Sequence, residues 1–411
     1  MIRRAGPGGE VLASRHASDR ADRLGAWCGW LVAGAFALLP ALGWLGPLGI
    51  PILVALVGLL ALPALRIEDH DRPIAVLLLV SLLWAAVSTV WSPFHPSKPA
   101  NNTALKLALE LPLYWSAICA ARRASPPLKR LALQVLAWGS ALFGLVLLVE
   151  FITDVRLYEI LHTTFYQPIR HDLAQSNIGH ATFVLALLWP LALAAAMKLR
   201  APLWLALPMA AGVLAPAVRF ASDAPVLSVP LAAGVGIAAW RWPRGGPRAL
   251  AGAAVVYCLA APLLVWAGRA SGRYGALEAA IQPSWSERMS YWSHALDWTR
   301  DHPVRGWGLD ASRMFGPGII LHPHDDALQV WLELGLVGAL LMAAIWWLAV
   351  SRLARRTPQP WPAGVAASAS VYLLFGAVNF GVWQEWWLAL AAMIAMASGL
   401  MAEPDPSQAS T

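Results

Sequence analysis

Charge is what this chain has little of: Asp, Glu, Lys and Arg make up 13% of its 411 residues, against 58% hydrophobic residues. Apolar runs near 20 residues recur from end to end, so a soluble domain is excluded. Short alternating strands are missing, which removes the closed membrane barrel. Cysteine is scarce, and Cys28, Cys119 and Cys258 all lie inside apolar segments without a CxxC spacing, so they read as small core residues. Linkers, low-complexity tracts and convincing internal repeats are also lacking. The Arg-bearing stretch before the first apolar block has no small-residue cleavage region, so that block is expected to be a retained anchor.

What is present is a series of continuous blocks rich in Leu, Ala, Val and Trp, the pattern of an all-α polytopic membrane protein. Taking each block as a span predicts about twelve transmembrane helices, near 25–45, 47–65, 74–92, 104–120, 131–152, 180–198, 202–218, 226–240, 249–268, 326–350, 361–379 and 385–402. The net charge of +7 is spread over alternate connections, among them Arg66 and Arg72, Arg122 to Arg130, Lys198 and Arg200, Arg241 to Arg248, and Arg352 to Arg356. Such alternation is topology information and not a nucleic-acid surface: both termini are expected in the cytoplasm. The expected organisation is a cytoplasmic tail over 1–24, a single membrane domain over 25–403 and a second tail over 404–411. Four connections then face outward: Pro93 to Thr103, Asp154 to Asn177, Phe220 to Pro225, and a polar loop over about 269–325.

That loop holds the most convergent polar groups. Ser284-Trp-Ser-Glu287 has capping-box spacing behind Pro283, predicting a helix to about Arg300 with Arg288 in its first turn. Arg288, Trp292, Ala295 and Thr299 would share a face, and a guanidinium beside free backbone N–H groups makes a local anion site; a solvated or capping arginine is the alternative. His324, after Pro323 at the mouth of the next span, is a candidate general base, with Asp325 or Asp326 able to cap the helix. The alternative is a loop histidine that only packs. His322 and His324 with the two carboxylates match no standard metal spacing. Deeper, Gln329 and Glu333 follow Asp326 on one face; a carboxyl there is either functional or an interhelical tie. Arg219 ends a span on the same side, as a site residue or a snorkelling one. Lys106 reads as a partner of Glu110 or as a phosphate contact, and Trp292 and Trp307 as candidate sugar platforms.

The run Ser286-Glu-Arg288-x-x-x-Trp292, Asp301-His-Pro303-x-x-Gly306-Trp-Gly308 and His322-Pro-His324-Asp-Asp-Ala-Leu328-Gln329-x-x-x-Glu333-Leu-Gly335 resembles the bacterial O-antigen ligase and polymerase family. The resemblance implies a metal-independent membrane glycosyltransferase of the GT-C type, without cofactor, working at the periplasmic face of the bacterial inner membrane. It implies an undecaprenyl-pyrophosphate-linked glycan as donor and, for a ligase, a lipid A-core sugar hydroxyl as acceptor; a polymerase would use a growing glycan instead. By position, His324 matches the family's essential histidine, Arg288 its loop arginine, and Arg219 is the nearest counterpart of a second arginine. Asp325 stands where the family has Asn, and its charge is expected to repel phosphate and raise the imidazole pKa. A lipid-linked glycan flippase is the reading from another class; the gathering of polar residues in one outer loop, away from the midplane, argues against it.

Overall fold

The computed structural model describes residues 7–316 and 318–402. The second tail, 404–411, and residues 1–6 of the first lie outside the described residues. Among those described the chain is 80% helical and has no strand. The helices are α1 (Pro7–Leu45), α2 (Gly49–Leu60), α3 (Arg72–Ser88), α4 (Thr103–Arg123), α5 (Pro126–Thr153), α6 (Arg156–Phe165), α7 (His171–Leu199) and α8 (Ala206–Arg219), followed by α9 (Asp223–Arg241), α10 (Gly245–Ala270), α11 (Tyr274–Ala280), α12 (Pro283–Thr299), α13 (Asp326–Ser351), α14 (Pro360–Val378) and α15 (Glu385–Met401).

Each of the twelve expected spans has its helix. Nine segments among the described residues are long and apolar enough to cross a membrane, while Gly49–Leu60, Leu203–Arg219 and Glu385–Met401 are shorter apolar helices. α6 and the first turns of α7 occupy the connection expected over 154–177. The chain is thus an all-α polytopic membrane protein.

α7 runs through the centre, buried on all sides from Ala181 to Ala192, against α5, α8 and α14. A helix apolar all round belongs inside a bundle. Outer helices keep apolar side chains such as Leu56, Leu79, Leu142 and Leu263 exposed, as a lipid-facing surface requires.

Side-chain contacts sort the connections into two ends. At one end Asp71 before α3 pairs with Arg122 of α4 and, at 3.5 Å, with Arg352 after α13. At the other, Ser92 Oγ donates to the Leu309 carbonyl at 2.7 Å, Trp285 Nε1 to Asp223 at 2.8 Å, and Arg219 pairs with Asp154 at 3.1 Å. The polar loop between α10 and α13 therefore shares its end of the bundle with all three other connections expected on its side.

The loop does more than cover that end. α13 is broken at Gly335 (φ 65°, ψ −161°), nine residues, or about 14 Å, below its first turn. Into this break runs Pro303–Gly308, whose two glycines also have positive φ. Three carbonyls freed by the break regain donors: Leu332 from Trp307 N (2.9 Å), Glu333 from Gly308 N (2.7 Å) and Leu334 from Trp84 Nε1 of α3 (3.1 Å). On the other side Leu336 N donates to the Pro303 carbonyl at 2.9 Å and Val337 N to that of Val304 at 3.3 Å. Irregular backbone at membrane depth survives only when satisfied in this way. Gly306 and Gly335 are required by closeness as well as by φ, since a Cβ on either would strike the other segment's backbone.

Candidate active site

α12 starts two residues earlier than the capping box predicts. Its N-cap is Gln282, no side chain caps it, and Pro283 takes the first helical position, where its fixed φ and missing N–H cost nothing. Arg288 consequently sits in the second turn and reaches back, Nη1 donating to the Ser284 carbonyl at 2.7 Å, with the guanidinium 5.3 Å above the Trp285 ring. Its Nε is buried and without a hydrogen-bond partner. Burial lowers the Arg288 pKa, opposed by the charges of Asp223 and Glu287. An arginine half withdrawn from water with a spare donor is prepared for an anion.

Asp325 is the N-cap of α13: its carboxylate accepts from Leu328 N at 2.8 Å and from the Tyr257 hydroxyl at 2.8 Å. Burial raises its pKa to about 7, opposed by the Leu328 and Tyr257 bonds. The sequence expectation for His324 is reversed. Its pKa lies below the ordinary value, first through burial, with the Asn379 carbonyl opposing and the nearby Arg288 charge adding to the lowering. The carboxyl of Asp325 is turned into the α13 cap and not toward the imidazole.

His324 adopts a left-handed backbone (φ 56°), a conformation for which His is one of the tolerated residues. Its Nδ1 lies 2.7 Å from the Asn379 carbonyl, an acceptor only, so Nδ1 carries the proton and donates. Nε2 therefore keeps its lone pair, and no hydrogen bond among the described residues reaches it. The ring stacks on Tyr291 of α12 at 5.8 Å and 20°. The geometry holds a neutral, oriented imidazole with its face against the helix that carries Arg288.

His322, buried, supports this turn. Its Nδ1 accepts from His324 N at 3.2 Å, so its one proton is on Nε2; the Gln384 amide nitrogen stands 3.1 Å from Nε2, and turning that amide over brings its otherwise unpartnered oxygen to accept the proton. Burial presses the His322 pKa down to about 3, with the charges of His324 and Arg313 acting in the same direction. Gly381 lies against the His322 ring and the Gln329 amide, where a Cβ would come within 3.0 Å of both.

Glu333, 0% exposed, is a hub. Its Oε1 accepts from Ser312 Oγ (2.6 Å) and Gln329 Nε2 (3.1 Å), its Oε2 from Asp310 N (2.9 Å) and Trp383 Nε1 (2.6 Å). Gln329 Oε1 in turn accepts from Val382 N at 3.0 Å. Together they fasten the loop 309–312 and the turn 379–384 to α13.

Other expected site residues lie further out. Arg219, its side chain 44% exposed, is held by Asp154 and lies 5.8 Å over Phe151. Lys106 pairs with Glu385 at the start of α15 and not with Glu110: its amine reaches toward the mouth, whereas Glu110 is one turn, about 6 Å, deeper. Trp292 packs in the cluster of Tyr257, Tyr274, Leu296 and Leu328 under the loop. Trp307 is enclosed by Trp298, His302 and Phe315. Residues absent from the sequence reading are Asn379, Tyr291, Trp383, Ser312 and Arg313, the last bridging Asp310 at 3.0 Å and lying 5.3 Å over Phe94. A cavity of about 170 Å³ opens there between Phe94, His95, Thr103 and Asp310. Glu68, His70 and Asp71, a group close enough to share a metal ion, stand at the opposite end of the bundle, where Asp71 already serves two arginines.

Fold and site thus define a polytopic helical membrane protein with a polar, loop-built centre at one end. Residues 218–343 match the family model described as O-antigen ligase, and this segment is O-antigen ligase-like, as its motifs imply. Rickettsia proteins that carry the name "Putative polysaccharide ligase" are similar over the same scale. That of Rickettsia conorii is 25% identical over 140 residues, 31% of this chain and 34% of its own length. That of Rickettsia prowazekii is 24% identical over 140 residues, 31% and 35% of the two chains, and that of Rickettsia bellii 31% identical over 85 residues, 21% of each. The chain therefore spans about a third of the length of the curated relatives it matches. No solved structure matches it.

Proposed function

We propose that the protein is an O-antigen ligase-like glycosyltransferase that moves a glycan from undecaprenyl pyrophosphate to a sugar hydroxyl of a lipid A-core acceptor. The observation that carries this reading is the pairing of an open imidazole nitrogen on His324 with a partly desolvated arginine, Arg288, on the facing helix. The acceptor hydroxyl gives its proton to His324 Nε2 as its oxygen attacks the anomeric carbon from the face opposite the pyrophosphate. The bond to the pyrophosphate breaks in the same step, an inverting displacement. Arg288 stabilises the negative charge that grows on the leaving group, the contribution arginine makes best through charge-assisted hydrogen bonds.

Arg219 and Arg313 supply further positive potential at this end, each held by one carboxylate. Gln329 and Glu333 act by fixing the turn that carries Asn379, and His322 by holding the His324 backbone; Lys106 stands at the mouth of the approach, and Trp292 supports the loop from beneath. The chemistry needs no metal or other cofactor. The alternation of cationic connections supports a cytoplasmic basic end and a periplasmic loop end, across the inner membrane. A polymerase extending a growing glycan would use the same donor and base.

The test is transfer in vitro with purified protein, a defined pyrophosphate-linked donor and a lipid A-core acceptor. Transfer is expected in wild type, with a loss of 10²- to 10⁴-fold in His324→Ala, the range for a general base. Unchanged transfer by a folded His324→Ala protein would remove the assignment.

A further inference from the structure

The end of the bundle opposite the loop holds a second basic centre that the transfer reaction does not use. A cavity of about 350 Å³ between the α9–α10 and α13–α14 connections is lined by Arg244, Arg248, Ala354, Arg355 and Arg356. Backbone joins its walls, Arg355 N donating to the Pro243 carbonyl at 2.9 Å. Arg355 is set in place: Nη1 donates to the carbonyls of Arg352 (2.6 Å) and Ala354 (3.0 Å), and its guanidinium lies 4.8 Å over Trp361. Among the described residues none of the four arginines has a carboxylate partner, whereas Arg122 and Arg352 at the same end share Asp71. α10, 26 residues long, begins in this cavity with neither an acidic residue in its first turn nor a side-chain cap, so its dipole adds to the positive potential.

Four cations converging on one cavity repel one another unless an anion is shared between them. We infer that this cavity binds the phosphate headgroup of an anionic membrane lipid. A lipid is favoured over a soluble phosphate because the exposed Trp240 and Trp242 stand at the end of α9, just before Arg244 of the cavity wall, and such amphipathic residues belong to the belt of a membrane interface. Basic pockets between helix ends are suited to such headgroups. Arg248 and Arg356 are exposed and make no described bond, so they can close on a phosphate without breaking structure.

The experiment uses the purified full chain in detergent, with lipid retention read by native mass spectrometry and thermal stability read in parallel. The additives are phosphatidylglycerol, phosphatidylcholine or inorganic phosphate. Wild type is expected to retain phosphatidylglycerol over phosphatidylcholine and to be stabilised by it. The double variant Arg248→Gln/Arg356→Gln should weaken that retention by roughly tenfold to thirtyfold, at about a factor of five per arginine. Arg300→Gln at the loop end should leave it unchanged. Equal retention by wild type and the double variant overturns the proposal, as does stabilisation by inorganic phosphate equal to that by the lipid. The melting temperature of the double variant without lipid separates loss of the site from loss of the fold.

Discussion

Removing the carboxylate of Glu333 should loosen the loop end of the molecule while leaving the bundle inserted. Glu333→Ala orphans three donors at once, those of Asp310 N, Gln329 Nε2 and Trp383 Nε1, in a site closed to water, while Ser312 Oγ keeps the Leu321 carbonyl at 3.1 Å. At a lower limit of 1 kcal/mol for each buried donor left unmade, the loss is about 3 kcal/mol. Glu333→Gln keeps the volume but sets an NH₂ against a donor: Gln329 Nε2 in one orientation, the Asp310 and Trp383 N–H groups in the other. At the same cost per donor, one or two orphaned donors lose about 1 to 2 kcal/mol, so the order of stability is wild type, Glu333→Gln, Glu333→Ala. Thermal unfolding in detergent, followed by tryptophan fluorescence, measures the order, and limited proteolysis of the 300–325 connection locates the change. An unchanged melting curve with an unchanged digestion pattern in Glu333→Ala would refute the hub.

Further outcomes follow from the cap, the break and the histidines. Asp325→Asn should keep the α13 cap and remove a buried acid whose pKa is raised to about 7, so it should be at least as stable as wild type at pH 8, while Asp325→Ala should lose about 1 kcal/mol; thermal melts at pH 6 and 8 check both. The sign follows from linkage: a carboxyl with a raised folded pKa holds its proton longer when folded, and its contribution is lost as pH rises from about 4 through 7. Gly335→Ala and Gly306→Ala should each lower folding yield and melting temperature, since a Cβ on either meets the opposing backbone at positive φ; thermal scans against a Gly252→Ala control, where nothing lies within 4 Å, report it. Because the His324 pKa is lowered, its base form persists below pH 6.5, and transfer should stay level from pH 8 past 6.5 and fall only at lower pH. His322, pressed to about 3, should make the fold lose stability progressively as pH falls from 6.5 toward 3, an effect absent from a folded His322→Asn variant.

The architecture was readable because each span is a continuous apolar block whose signal is local. α2, α8 and α15 keep that signal although they are shorter than a full crossing. The break in α13 is not readable in the same way: Gly335 in an apolar run looks like any membrane glycine, and its meaning lies in a loop some 30 residues earlier. The motif residues His324 and Arg288 stood out by type and position. Their state did not, since the His324 tautomer is set by the Asn379 carbonyl, 55 residues on, and the partner of Lys106 is 279 residues away. The expected Ser284 cap failed because Pro283 at the first helical position moved the start of α12 back. Tertiary partners chose among options that the local sequence left open.

Transfer of a pyrophosphate-linked glycan by the purified protein, wild type against His324→Ala and Arg288→Ala, tests the central claim most directly. Wild type should form the glycosylated acceptor without added metal, His324→Ala should be slower by 10²-fold or more, and Arg288→Ala should be impaired with its melting temperature retained. Product formation by folded His324→Ala and Arg288→Ala proteins at the wild-type rate would contradict the account.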